Sequence, residues 1–167
     1  RRYSIRHREE VWREFKTSGK PVVAVGDYFS QDQYLLASYA DELIAHPIGG
    51  AALEGFSMYH NFYAEALDKL SVSMHVFRAG EHKSAAEPYL RSDMSTAQKS
   101  NALEWLEDLW ASYTSTVEAN RELPSGAVDA YVNGYASRLV AGDGDSAKDA
   151  LDAGLIDQLL TRSQANE

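Results

Sequence analysis

No cysteine occurs in the 167 residues, which excludes structural disulfides, thiol nucleophiles and cysteine-ligated zinc and leaves the redox compartment undetermined. Long apolar runs are missing too. Nothing approaches the roughly 20 residues that span a bilayer, and the opening RRYSIRHREE is too charged for a secretory signal, so the chain as given is expected to be soluble. Basic charge is scarce: 16 Lys and Arg face 25 Asp and Glu, a net charge of -9. That balance repels phosphate and opposes binding to nucleic acid or anionic lipid. Metal-ligand spacing is absent from His7, His46, His60, His75 and His82, with neither H-x-x-x-H nor H-E-x-x-H present. The glycines of AGDGDSA match neither a P-loop nor a dinucleotide fingerprint. No cofactor and no metal are indicated.

What is present suits one domain, residues 1–167, able to bury roughly two-thirds of its unfolded surface. The first residue is Arg1, within what reads as the middle of a helix, so a piece of a longer protein is expected. Ile5, Trp12 and Phe15 lie on one side of an amphipathic helix over 5–17 that Ser18-Gly19 ends. Val22 to Val25 predict a short strand buried on both faces, as in a parallel sheet. A helix carrying Tyr34, Leu35, Ala37 and Ala40 follows, and then a strand in ELIAHP that stops at Pro47. Tyr59, Phe62, Tyr63, Ala66, Leu67 and Leu70 predict the next helix, and VSMHVF over 72–77 a third strand. Ser95 and Gln98 form a capping-box pattern opening the longest helix, with Leu103, Leu106, Trp110, Tyr113 and Val117 on one stripe up to Leu123-Pro124. A short helix and an edge element in GLIDQLL close the chain. Strands alternating with helices predict an α/β layer fold built from βαβ units.

Two residues are candidates for chemistry. Lys83, in FRAGEHKSAAEPYLRSDMS, is a lone cation in a turn; in water it is surface decoration, whereas burial among Ser84, Ala85 and Ala86 lowers its pKa. A shift of ~3 from ~10.4, equivalent to about 4 kcal/mol, makes it a base near neutral pH. Ser30, in YFSQDQY, is an ordinary helix N-cap or a nucleophile on a strand-to-helix turn. Gln31 and Asp32 stand where a nucleophile's turn needs glycine, which weighs against the second role. His82 beside Lys83 can line a site, and Glu107 and Asp108 fit a solvated helix face.

The segments GKPVVAVGDYFSQDQYLLASYADELIAHPIG, LDKLSVSMHVFRAGEHKSAAEPYLRSDMS and TVEANRELP resemble the amino-terminal half of long-form members of the signal peptide peptidase A (protease IV) family. The resemblance covers residues 10–160. It implies a crotonase-like, ClpP-like fold of stacked βαβ units and a serine protease whose general base is lysine rather than histidine. In long members the lysine comes from the amino-terminal repeat and the serine from the carboxy-terminal repeat, and Lys83 matches the lysine. In short members both lie in one chain, the serine in a Ser-Gly-Gly context at the place of Ser30, 53 residues before Lys83; here the context is Ser-Gln-Asp. Ser84 matches a position able to orient the amine, or is an ordinary turn hydroxyl. The family implies signal peptides as substrates, the carboxy-terminal repeat and further copies of the chain as partners, no nucleic acid, and a place on the periplasmic side of the bacterial inner membrane. Tyr28, Phe29, Tyr34, Phe56, Tyr59, Phe62 and Tyr63 serve assembly or a plain core. A scaffold domain and a crotonase-type acyl-CoA enzyme are the other classes open, although no Lys/Arg cluster offers a nucleotide-phosphate pocket.

Overall fold

The computed structural model describes residues 11–12, 14–75 and 84–166, the side chain of Ser84 excepted. Its contacts divide the chain into two units, Arg1–Gly55 with Ser112–Glu167, and Phe56–Ala111.

In the first unit, residues 11–12 and 14–16 are helical and end in a turn over 17–19. Gly19 there has a φ of +69°, the left-handed conformation that only glycine adopts without strain at a helix end. β1 (Val23–Gly26), β2 (Phe29–Ser30) and α1 (Gln31–Ala37) follow, then β3 (Glu42–Ala45) and β4 (Ala51–Ala52). After the chain returns come α5 (Ala127–Ala141), α6 (Ser146–Asp152) and β5 (Gln158–Leu159). Two parallel sheets result, β1-β3-β5 and β2-β4. Val23 stands opposite Glu42, Ile44 opposite Gln158 and Ser30 opposite Ala52. The chain therefore lays a strand in the first sheet, turns, lays one in the second, and crosses back through a helix, as parallel pairing requires.

Apolar packing concentrates behind β3. Tyr34, Leu43, Ala45, Val117, Val128, Ala150, Leu155 and Ile156 are all within 2% of complete burial, each larger side chain contributing about 1.5–3 kcal/mol. Polar groups brought inside are paired, because an unmade hydrogen bond is costly there. The Tyr34 hydroxyl donates to the Leu155 carbonyl (2.6 Å), Asn120 Nδ2 to Ser38 Oγ (3.0 Å), and the Val128 N–H to Glu118 Oε1 (3.1 Å). Asp157 stitches the sheet: its carboxylate accepts from the Leu43 N–H (2.7 Å) and pairs with Arg121 (2.5 Å).

Several expectations are corrected. The strand at Val22 to Val25 begins one residue later, and Val23 and Val25 are 47% and 52% exposed rather than buried: exposure alternates along β1, so the face that carries both valines is open among the described residues. Residues 72–75 hold no strand: Ser71 turns left-handed at φ +53°, and the Val72 amide folds back on the Leu67 carbonyl (2.9 Å). Residues 76–77 lie outside the described set. The helix expected across Tyr59–Leu70 is confined to α2 (Ala64–Lys69). β2, β4 and α5 were not anticipated.

In the second unit, α2 is followed by a 3-10 turn (Ser84–Ala86), α3 (Glu87–Leu90) and the start of α4 (Thr96–Asn120), whose later residues belong to the first unit. Ser95 Oγ caps α4 by accepting from the Gln98 N–H (3.2 Å). The reciprocal half of the expected box goes to Glu87, whose buried carboxylate accepts from the Ser95 hydroxyl (2.6 Å) and amide (3.1 Å) and lies favourably at the positive end of the helix. Tyr63 stacks on Tyr89, and Phe56 meets Trp110 edge to face. No apolar side chain described in this unit is fully buried, and Tyr59 and Leu70 are 90% and 72% exposed.

Candidate active site

Ser30 closes β2 and opens α1. Its extended backbone (φ -69°, ψ 164°) turns the hydroxyl onto the new helix, where Oγ accepts from the Gln33 N–H (3.4 Å). Gln33 Oε1 accepts in return from the Ser30 N–H (3.0 Å). This reciprocal box satisfies two amides that a helix start leaves unpaired. Among the described residues, no lysine, histidine or carboxylate hydrogen-bonds to the Ser30 hydroxyl. Lys83 and His82 lie outside the described residues, as does the side chain of Ser84.

The residue after Ser30 has a different task. Gln31 Oε1 accepts from the N–H groups of Glu54 (3.0 Å) and Gly55 (2.8 Å), and Nε2 donates to the Gly55 carbonyl (3.1 Å). Its side chain continues the β2–β4 pairing past the point where the main chain leaves for α1. In the sequence Gln31 stands out only as a departure from glycine. Its partners stand 23 and 24 residues away, so no local pattern reveals them.

Two hollows lie near the strand ends of the first unit. One, of about 320 Å³, runs along the far side of β4 between Tyr28 and Tyr135, over Gly50, Ala52, Leu53 and Glu54. The Tyr131 hydroxyl closes part of that edge by donating to the Ala51 carbonyl (3.1 Å). The other, of about 690 Å³, lies beyond the carboxyl ends of β1, β3 and β5, lined by Asp27, His46 and Arg162. Arg162 holds Asp27 through two bonds of 3.0 and 2.7 Å, and that pairing draws the Asp27 carboxyl below its usual range. His46 falls at a strand end, as expected, and its Nδ1 accepts from the Ile48 N–H (3.2 Å). Gly49 is required between them, since a Cβ there would lie 1.7 Å from the Asp27 carbonyl oxygen.

Among the described residues no cluster of three or more His, Asp or Glu is placed to hold a metal ion, and no helix is long and apolar enough to cross a membrane. His75 is exposed, as are Glu107 and Asp108.

The family model for peptidase family S49 matches residues 14–167. Protease 4 of Salmonella typhi is 42% identical over 164 residues, 98% of this chain and 26% of that protein. Protease 4 of Haemophilus influenzae is 41% identical over 148 residues, 89% of this chain and 24% of that protein. The chain spans about a quarter of the length of these curated relatives. With a match of that extent, and with the resemblance to protease IV borne out, the chain belongs to peptidase family S49.

Proposed function

We propose that this chain is the amino-terminal, base-supplying domain of a serine endopeptidase that degrades cleaved signal peptides. The observation that carries the reading is Ser30: both its hydroxyl and its amide are engaged in the α1 capping box, and the residue that follows it is Gln31 rather than glycine. A serine so engaged favours a nucleophile from the carboxy-terminal repeat, and the quarter-length match to the relatives leaves room for one. Successive placement of β1, β3, β5 in one sheet and β2, β4 in another supports the crotonase-like, ClpP-like stacking.

In this mechanism neutral Lys83 takes the proton from the serine hydroxyl as its oxygen attacks the scissile carbonyl, and backbone N–H groups hold the resulting oxyanion. The same amine then protonates the leaving nitrogen, and an acyl-enzyme remains for water to release. Peptides are bound extended, apolar residues against an apolar groove. The enzyme acts as an oligomer on the periplasmic side of the inner membrane.

The test is complementation. This chain and a separately expressed carboxy-terminal repeat are each expected to be inactive on a fluorogenic apolar peptide and active when mixed, with Lys83→Ala abolishing the gain. Equal cleavage by the mixture with and without Lys83 would contradict the assignment.

A further inference from the structure

The two hollows of the first unit share a wall. Tyr28, half exposed between β1 and β2, lines both. Their linings also meet at one step of the chain, Gly49 lining the larger hollow and Gly50 the smaller. The stretch from His46 to Glu54 therefore passes along both in succession.

Main chain dominates the middle of this stretch. Side chains are absent or small at Gly49, Gly50, Ala51 and Ala52. Neither glycine is freely replaced: a Cβ on Gly49 would strike the Asp27 carbonyl, and Gly50 has a φ of +141°. Parallel pairing with β2 uses alternate groups of β4, beginning with the Gly50 carbonyl, which accepts from the Phe29 N–H (2.9 Å). The Ala51 carbonyl, on the other edge, accepts from Tyr131. The N–H groups of Ala51 and Leu53 and the Leu53 carbonyl bond to no described residue. Backbone groups left open along a strand edge are what an extended peptide pairs with.

The two ends differ in charge. At the larger hollow Arg162 gives Nε and Nη2 to Asp27, and its Nη1 bonds to no described residue. His46 accepts at Nδ1 from the Ile48 N–H, so the neutral ring carries its proton on Nε2 and can donate from there. At the smaller hollow the exposed Glu54 carboxylate bonds to no described residue. Donors at one end and a carboxylate at the other complement the two termini of a short peptide.

We propose that the two hollows form one groove that holds a short extended peptide with free termini. Its carboxylate lies at Arg162 and His46, its amine at Glu54 and its main chain along 50–53, with Tyr28 between two of its side chains. Such a peptide is the kind an endopeptidase releases, so the groove retains a product rather than a scissile bond. The choice of a peptide as occupant rests on the reading of this chain as part of an endopeptidase; the groove itself needs neither Lys83 nor a second repeat.

The experiment is calorimetric titration of the full-length polypeptide containing this chain with tri-alanine, its carboxamide and its N-acetyl form. Tri-alanine should bind saturably and more tightly than either capped form. Arg162→Gln should weaken it about tenfold, in line with a lost charge-assisted hydrogen bond, and remove the preference over the carboxamide. Glu54→Gln should remove only the preference over the N-acetyl form. Asp27→Asn, which releases Arg162 Nε and Nη2, should tighten tri-alanine, and Tyr28→Ala should weaken all three. Absence of saturable binding, or binding by Arg162→Gln and Glu54→Gln equal to that of the unsubstituted protein, would overturn the proposal. Lys83→Ala should bind as the unsubstituted protein does; a loss there would put the peptide at the cleavage site and overturn the groove. Hydrolysis by the same Lys83→Ala variant decides the general-base reading separately, since surviving turnover sinks that reading and leaves the groove standing.

Discussion

At the scale of single residues, Ser30 and Gln31 are neighbours with opposite legibility. The serine's cap is readable in the local S-x-x-Q spacing of Ser30 and Gln33, since a hydroxyl at a strand-to-helix boundary has amides within reach. The glutamine's bonds to Glu54 and Gly55 are not, because they arise only when residues 54–55 are brought back beside β2. Lys83 was legible as a candidate from its small, apolar surroundings and from the family resemblance. Ser30→Ala is expected to cost about 1 kcal/mol of stability through the lost cap, and Ser30→Asn to restore most of it; chemical denaturation of the two variants checks this. A loss well beyond that range would mean Ser30 does more than cap.

At the scale of elements, hydrophobic runs located β1, β3 and the closing β5, while burial and the shortest strands escaped. Val22 to Val25 read as a doubly covered strand, yet their composition is equally that of a strand with one face open, and sequence does not say which faces other elements cover. β2 and β4 have two residues each, too few for a period to show. VSMHVF alternates as a strand should, but 72–75 found no strand partner among the described residues, a tertiary outcome that overrides local preference. The contrast between sheet positions is measurable. Leu43→Ala on fully buried β3 should cost about 2–5 kcal/mol, whereas Val25→Thr on exposed β1 should stay within about 0.5 kcal/mol, both read from denaturation midpoints. A large loss at Val25 would show that β1 is covered in solution.

At the scale of the whole molecule, charge and burial set the pH range of stability. Burial raises the phenols of Tyr34, Tyr113 and Tyr131 above their ordinary value. Their contribution is full below the unfolded value of ~10 and declines above it, as unfolded tyrosines ionise and folded ones do not. Asp27, Asp41 and Asp93 are drawn down chiefly by hydrogen bonds, from Arg162, the Val22 amide and Arg91 respectively. Their contribution is full above the unfolded value of ~3.9 and is lost as pH falls below it, weakly because all three are exposed. Thermal melts should therefore show a steep alkaline limb beginning near pH ~10, shallower in Tyr34→Phe; a limb unchanged by that substitution would contradict the assignment. The central claim is the proposal that this chain, which spans about a quarter of its curated relatives, supplies a base and not a nucleophile. It is tested most directly by measuring peptide hydrolysis in the full-length polypeptide carrying Ser30→Ala or Lys83→Ala. Retained turnover in the first and its loss in the second is the predicted result; loss in Ser30→Ala with the fold intact, or turnover surviving Lys83→Ala, would contradict it.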